Sequence, residues 1–129
     1  CYSKVIKNIE EFNKDLQQNK LFLEEYVIQH SEISKICPTS VNTIRIMTFG
    51  YDGKSEILFA AMRFSDGTAS VDNFHQGGMA CLVDIETGKL VGQAFNKDLE
   101  YFKYHPMTEM KFDGFQIPNW DKIKKLVFL

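Results

Sequence analysis

Val41-Asn42-Thr43-Ile44-Arg45-Ile46-Met47-Thr48-Phe49, then Gly50-Tyr51-Asp52-Gly53-Lys54, then Ile57-Leu58-Phe59-Ala60-Ala61-Met62-Arg63-Phe64 is the stretch on which the fold turns. Both outer runs are rich in β-branched and aromatic residues, which suit a pleated, half-buried surface. Asp-Gly between them is a strong hairpin signal. Downstream, Met79–Val83 and Leu90–Phe95 flank Glu86-Thr87-Gly88-Lys89 and read as a second hairpin. Such short connections can join only antiparallel strands. The reading is therefore α+β: an antiparallel sheet with flanking helices.

The helices lie at the two ends. Ile9, Phe12 and Leu16 recur at helical spacing, with Asn8 placed to cap the segment and Asn19-Lys20 to end it. Leu21–Ile28 reads as a short buried strand interrupted by Glu24-Glu25. Ser31–Ile36 reads as one or two helical turns that start at a Ser cap and are stopped by Pro38. From Pro118 a helix is expected with Trp120, Ile123, Leu126 and Val127 on one face. Between the hairpins, Ser65–Gly78 reads as a long loop, and such loops in small domains are more often functional than not.

The 129 residues fit one domain, and 44% hydrophobic with 25% charged residues is ordinary soluble composition. Fifteen bases against seventeen acids leave a net charge of −2, too weak a field to recruit nucleic acid or anionic membrane non-specifically. No run of apolar residues is long enough to span a membrane. The chain opens on Cys1 without a basic segment leading into an apolar one, so no secretory signal is read. Cys1, Cys37 and Cys81 are widely spaced and form no CxxC, which argues against a zinc knuckle or redox dithiol. Cys81, inside an apolar run, reads as a small buried hydrophobe. A reducing, cytoplasmic compartment is expected.

Arg45 and Arg63 are the two arginines among the fifteen bases, and each sits in an apolar strand. A guanidinium in such a strand must find an anion or reach water. A solvent-facing residue is the bland outcome. A chain that uses Lys at every other basic position points instead to sites that need a planar, bidentate donor for phosphate or carboxylate. A two-residue Asp52-Gly53 turn would set Arg45 opposite Ala60 and put the arginines on opposite faces. A bulge or an odd-length loop would bring them to one face.

Two further groups stand out. In Val71-Asp72-Asn73-Phe74-His75-Gln76-Gly77-Gly78, adjacent glycines permit close backbone approach and their amides can line an anion, with Asn73 and His75 just before them. In Leu23-Glu24-Glu25-Tyr26-Val27-Ile28, a strand could end in a hinge whose backbone meets a planar ligand; a surface edge is the bland alternative. No Ser-His-Asp order, HExxH, GxSxG, P-loop or GxGxxG is present, and His30, His75 and His105 lack metal-ligand spacing. Asp84 and Glu86 in the second turn read as solvated.

Taken in order, Glu24-Glu25-Tyr26-Val27, Asn42-Thr43-Ile44-Arg45, Ala60-Ala61-Met62-Arg63 and Asn73-Phe74-His75-Gln76-Gly77-Gly78 resemble the ATP-grasp superfamily. The resemblance is closest to the sugar-transfer-associated ATP-grasp proteins of bacterial polysaccharide and capsule loci. It is more distant to α-L-glutamate ligases. It implies ATP-dependent carboxylate–amine or carboxylate–hydroxyl ligation through an acyl-phosphate. It implies ATP and Mg²⁺ as cofactors and a small carboxylate or sugar-linked substrate as partner. The hinge Glu25, Tyr26 and Val27 would hold adenine by its backbone, and Asn73, His75, Gly77 and Gly78 would lie near the phosphates. Arg63 would stabilise charge in phosphoryl transfer, and Arg45 would orient carboxylate or phosphate.

By the same resemblance, the family's phosphate-covering loop lies upstream of Cys1 and its metal ligands beyond Leu129. Residues 1–129 are thus expected to be one partial ATP-grasp domain, with no metal-ligating residues of its own and weak, magnesium-insensitive ATP binding. Arg63→Lys is expected to lower turnover with little loss of stability. The rival from another class is a non-catalytic α+β binding module whose aromatic segment Tyr101–Asn119, with Trp120, docks a sugar or a protein.

Overall fold

Asp52 and Gly53 both take positive φ, 50° and 72°, as the two central residues of a tight primed hairpin turn must. The turn joins β1 (Ile44–Tyr51) to β2 (Lys54–Phe64). The computed structural model describes residues 9–19, 25 and 27–128. Among these, β3 (Met79–Val83), β4 (Leu90–Asn96) and β5 (Tyr101–Phe102) continue the sheet in the order β1-β2-β3-β4-β5, every neighbour antiparallel. The helices are α1 (Ile9–Asn19), α2 (Ser31–Ile36) and α3 (Trp120–Val127). The α+β antiparallel expectation holds.

Register decides what each face carries. The first hairpin pairs Tyr51 with Lys54, Phe49 with Glu56 and Thr48 with Ile57, and then shifts, so that Met47 opposes Phe59. Leu58 is the extra residue of a β-bulge. Beyond the bulge, Arg45 opposes Ala61 rather than Ala60. Ala61 and Arg63 are two apart on one strand and share a face. Both arginines therefore lie on the same face of the sheet.

The opposite face is the core. Ala60, Met62, Phe64, Met79, Cys81, Val83, Leu90 and Ala94 are buried there with Ile33, Ile36 and Cys37 around α2, Phe112, Ile117 and Trp120. Phe64 and Phe112 pack with ring centroids 5.2 Å apart. The second hairpin's turn is locked to α3: Trp120 donates its indole N–H to the Ile85 carbonyl at 2.7 Å. Gly88, at φ 72°, lies so close that an added Cβ would sit 2.2 Å from Trp120 Cγ. Only glycine satisfies both demands.

Several expectations need correction. Residues 27–30 are not a strand, and Val27 and Ile28 are exposed at 59% and 85%. Polar side chains fix this segment instead of a ladder. Gln29 Oε1 accepts from the Asn42 backbone at 2.7 Å and from its side chain at 2.8 Å, while Gln29 Nε2 donates to the Cys37 carbonyl at 3.0 Å. Residues 20–24 and 26, which include Tyr26, lie outside the described residues, as does the expected cap Asn8. The cap of α2 is His30, whose Nδ1 accepts from the Glu32 N–H at 3.2 Å, so Ser31 is the first helical residue. The helix ends at Ile36 because Cys37, which precedes Pro38, is extended (φ −140°, ψ 101°). β1 begins at Ile44 rather than Val41, since Asn42 and Thr43 are engaged in side-chain hydrogen bonds. α3 begins at Trp120, two residues after Pro118.

Candidate functional site

The face bearing the arginines is built in rows. One row runs Arg45, Ala61, Leu82, Val91 across four strands, and Met47 with Phe59 forms the next row beside it. Met47, Phe59, Leu82 and Val91 are between 41% and 52% exposed, so this part of the face is an uncovered apolar floor. Arg45 stands exposed at its β1 edge, and among the described residues it has no ion-pair or hydrogen-bond partner.

The other row runs Arg63, Ala80, Phe95, Tyr101, and the 65–78 loop lies over it. Phe74 packs edge-on against Phe95, with centroids 6.0 Å apart, and Phe95 against Tyr101 at 6.4 Å. Ala80 beneath is buried. The loop thus makes a wall along one side of the apolar floor. Both arginines are at the wall or opposite it.

Arg63 is not free. Its Nε and Nη2 donate to the backbone carbonyl of Asp72 at 3.2 and 2.5 Å, and Nη2 lies 3.4 Å from Asp72 Oδ1. The other carboxylate oxygen, Oδ2, accepts from the Thr43 N–H at 3.0 Å and from the Thr43 hydroxyl. The side chains of Arg63 and Asp72 are only 17% and 13% exposed. A guanidinium on a sheet face has found its anion inside the chain, one of the two outcomes its strand position demanded.

Asn73 follows directly. Its side chain accepts from the His75 N–H at 3.2 Å and starts the 3₁₀ turn Phe74–Gln76, while its carbonyl accepts from Gln76 N at 2.9 Å and Gly78 N at 3.0 Å. The Gly78 amide is therefore spent within the loop and does not line an anion. Gly77 is left-handed (φ 83°) and packs against Asp66, where an added Cβ would sit 2.6 Å from Oδ2. Gly78 has no room for a side chain either, its Cβ position being 2.6 Å from Asn73 O. His75 is exposed on the wall.

The remaining expected residues do not join this cluster. Val27 lines a groove of about 330 Å³ with Ile33, Ile44, Met62, Pro118 and Ile123, on the core-side face of the sheet, away from both arginines. Glu25 is exposed, and Tyr26 lies outside the described residues. Asp84 is a turn residue: its Oδ1 accepts from the Thr87 N–H and hydroxyl, both at 2.7 Å, and these hydrogen bonds hold its carboxyl below the usual range. Among the described residues no three His, Cys, Asp or Glu side chains converge on a point that could hold a metal. The aromatic segment spends its largest rings on the core, Phe112 and Trp120 being buried, with Tyr101 and Tyr104 exposed. Thr43 and Asp72 are the residues whose role was not read from the sequence. The signal was there in outline: a carboxylate nine residues beyond a buried-strand arginine, in the loop that returns over it.

The cysteines differ. Burial pushes the Cys81 thiol up to about 11. Burial also pushes the Cys37 thiol up, but hydrogen bonds from His105, Thr39 and Ser40 outweigh it and bring it down to about 6.

The model of the sugar-transfer associated ATP-grasp family matches residues 6–128. No curated protein and no solved structure matches the chain. No helix among the described residues is long and apolar enough to cross a membrane.

Proposed function

We propose, from the premise that this chain belongs to the sugar-transfer associated ATP-grasp family, that it serves ATP-dependent ligation of a carboxylate to an amine or hydroxyl of a sugar-linked substrate. The observation that supports this is the placement of Arg45 and Arg63 on one face of the sheet, Arg45 at the edge of its uncovered apolar part and Arg63 under the wall that the 65–78 loop builds beside it. An apolar floor with a few convergent polar groups at its rim is the usual form of a small-molecule site. The floor of Met47, Phe59, Leu82 and Val91 suits a planar base or ribose, and Arg45 offers a bidentate fork to phosphate or carboxylate. Over an apolar floor such a contact is stronger than in open water.

In the chemistry proposed, the terminal phosphoryl group of ATP passes to the substrate carboxylate, giving an acyl-phosphate and ADP. The amine or hydroxyl then displaces phosphate and loses its proton. Arg45 orients the anionic partners. Arg63, whose Nη1 is not engaged within the described residues, and Asn73 at the wall face the charge that develops. ATP of this family travels with Mg²⁺, and the described residues offer no metal-ligating cluster for it. We place the protein in the cytoplasm, in the assembly of surface polysaccharide.

Titration of ATP into the chain, followed by amide and methyl NMR, tests the reading. Shifts concentrated on Met47, Ala61, Leu82 and Val91, with affinity lost about tenfold in Arg45→Gln, are expected for loss of one charge-assisted bidentate contact. Absence of any ATP-dependent shift on this face would end it.

A further inference from the structure

We infer that Asp72 is the positioning residue of this face: gripped at its carboxylate by Thr43 and at its carbonyl by Arg63, it sets the wall that presents Asn73 and His75. The inference rests on the nucleotide reading above and adds to it a residue that touches no ligand.

Asp72 is held at both ends by different strands' residues. Thr43, at the entrance to β1, takes Oδ2 with its N–H at 3.0 Å and with its hydroxyl. Arg63, on β2, takes the main-chain oxygen with two N–H groups at 3.2 and 2.5 Å. Position and orientation of one peptide unit are thereby fixed against the sheet. Everything after it follows from that unit. The Asn73 carbonyl closes on the amides of Gln76 and Gly78, the Asn73 side chain closes on the amide of His75, and Phe74 seats on Phe95. The parallel bridge between Val41 and Val71 secures the approach.

A carboxylate is an odd choice beside an anion's seat. It neutralises Arg63 and repels phosphate, so on electrostatics alone it weakens the site. What it supplies is geometry: charge-assisted hydrogen bonds are about twice as strong as neutral ones, and they hold the loop in one place. The two effects have opposite signs on ATP affinity, which makes the role measurable. If Asp72 acts mainly as a charge, Asp72→Asn binds ATP more tightly. If it positions the wall, Asp72→Asn binds more weakly although the local charge has become more favourable.

The test measures ATP affinity by calorimetry, and hydrogen exchange of the His75, Gln76 and Gly78 amides, in the whole chain. The expected result for Asp72→Asn is exchange faster by about tenfold or more and ATP binding weaker by a similar factor, set by loss of hydrogen bonds to a charged group. Thr43→Val removes the hydroxyl partner without touching Asp72 and is expected to act in the same direction, while Thr43→Ser restores both readouts. Unchanged or tighter ATP binding in Asp72→Asn overturns the positioning role, as does unchanged exchange in both Asp72→Asn and Thr43→Val. If the unaltered chain binds no ATP, the nucleotide reading falls, and the exchange data alone decide whether Asp72 holds the wall.

Discussion

Lysine in place of each arginine separates what the two guanidinium groups do. Arg63 donates two N–H groups to one carbonyl and approaches a carboxylate at 3.4 Å, in a site where it is only 17% exposed. A lysine ammonium keeps the charge but not the planar fork, and one hydrogen bond to a largely buried acceptor is lost or misaligned. A hydrogen bond of this kind is worth about 1–2 kcal/mol. For a domain of this length, 1 kcal/mol moves the melting temperature by about 3–5 °C. Arg63→Lys should therefore melt about 3–10 °C lower than the unaltered chain. That differs from the sequence expectation of little stability loss, because the sequence alone could not show Arg63 bonded to the loop. Arg45 is exposed and has no partner among the described residues, so Arg45→Lys should fall within about 0.5 kcal/mol. Thermal melts by circular dichroism, with ATP titration on the same samples, give both readouts. Equal melting temperatures for the two variants would refute the division of labour. So would a larger loss of ATP affinity in Arg63→Lys than in Arg45→Lys without any loss of stability.

Two predictions concern the scaffold. Gly88→Ala forces a Cβ to within 2.2 Å of Trp120 Cγ at φ 72°, and overpacking with left-handed strain should cost about 2–4 kcal/mol, read as a denaturation midpoint shift at constant slope. The Cys81 thiol ionises near 9 when unfolded and, pushed up by burial, near 11 when folded. The native state thus holds its proton after the unfolded chain has lost it, so stability from this group is intact below pH 9 and falls as pH rises from 9 to 11, by about 2–3 kcal/mol. Comparison of alkaline denaturation with Cys81→Ala, which lacks the thiol, isolates that slope; parallel curves for the two proteins would contradict it.

Much of the fold was legible because its signals were local. Asp52-Gly53 between two β-rich runs specifies a turn whose backbone only such a pair adopts easily, and both residues do take positive φ. Of the helical face expected from Trp120, Ile123, Leu126 and Val127, Trp120 and Ile123 meet the core, while Leu126 is exposed. The strand read over Leu21–Ile28 fails, over its described part, for a complementary reason. A short apolar run does not state its partner, and at 27–30 the backbone is fixed by Gln29 and Asn42, two polar side chains thirteen residues apart. The start of α2 moved for a similar cause: a histidine can take the cap position when its Nδ1 reaches the second amide of the helix.

The site was legible in composition but not in geometry. Two arginines among thirteen lysines marked the right strands, yet which face each occupied depended on whether the ladder kept or lost one residue. That is a bulge at Leu58, and no feature of Ile57-Leu58-Phe59 distinguishes it from three ordinary strand residues. A one-residue slip inverts every side chain beyond it, so the bulge decides whether Arg45 joins Arg63 or faces the core with Met62. The same register sets Thr43 opposite Arg63, through the Arg63 N–H to Thr43 carbonyl bond at 2.8 Å. It is this pairing that lets one aspartate reach both residues. The bulge, not either arginine, is thus the feature that assembles the face: with Leu58 paired in the ladder, Arg45 would oppose Ala60 on the core face and Thr43 would no longer stand opposite Arg63. Deleting Leu58 outright, by contrast, should leave Arg45 opposite Ala61 and the Thr43–Asp72 contact in place, read by ladder cross-peaks in NMR.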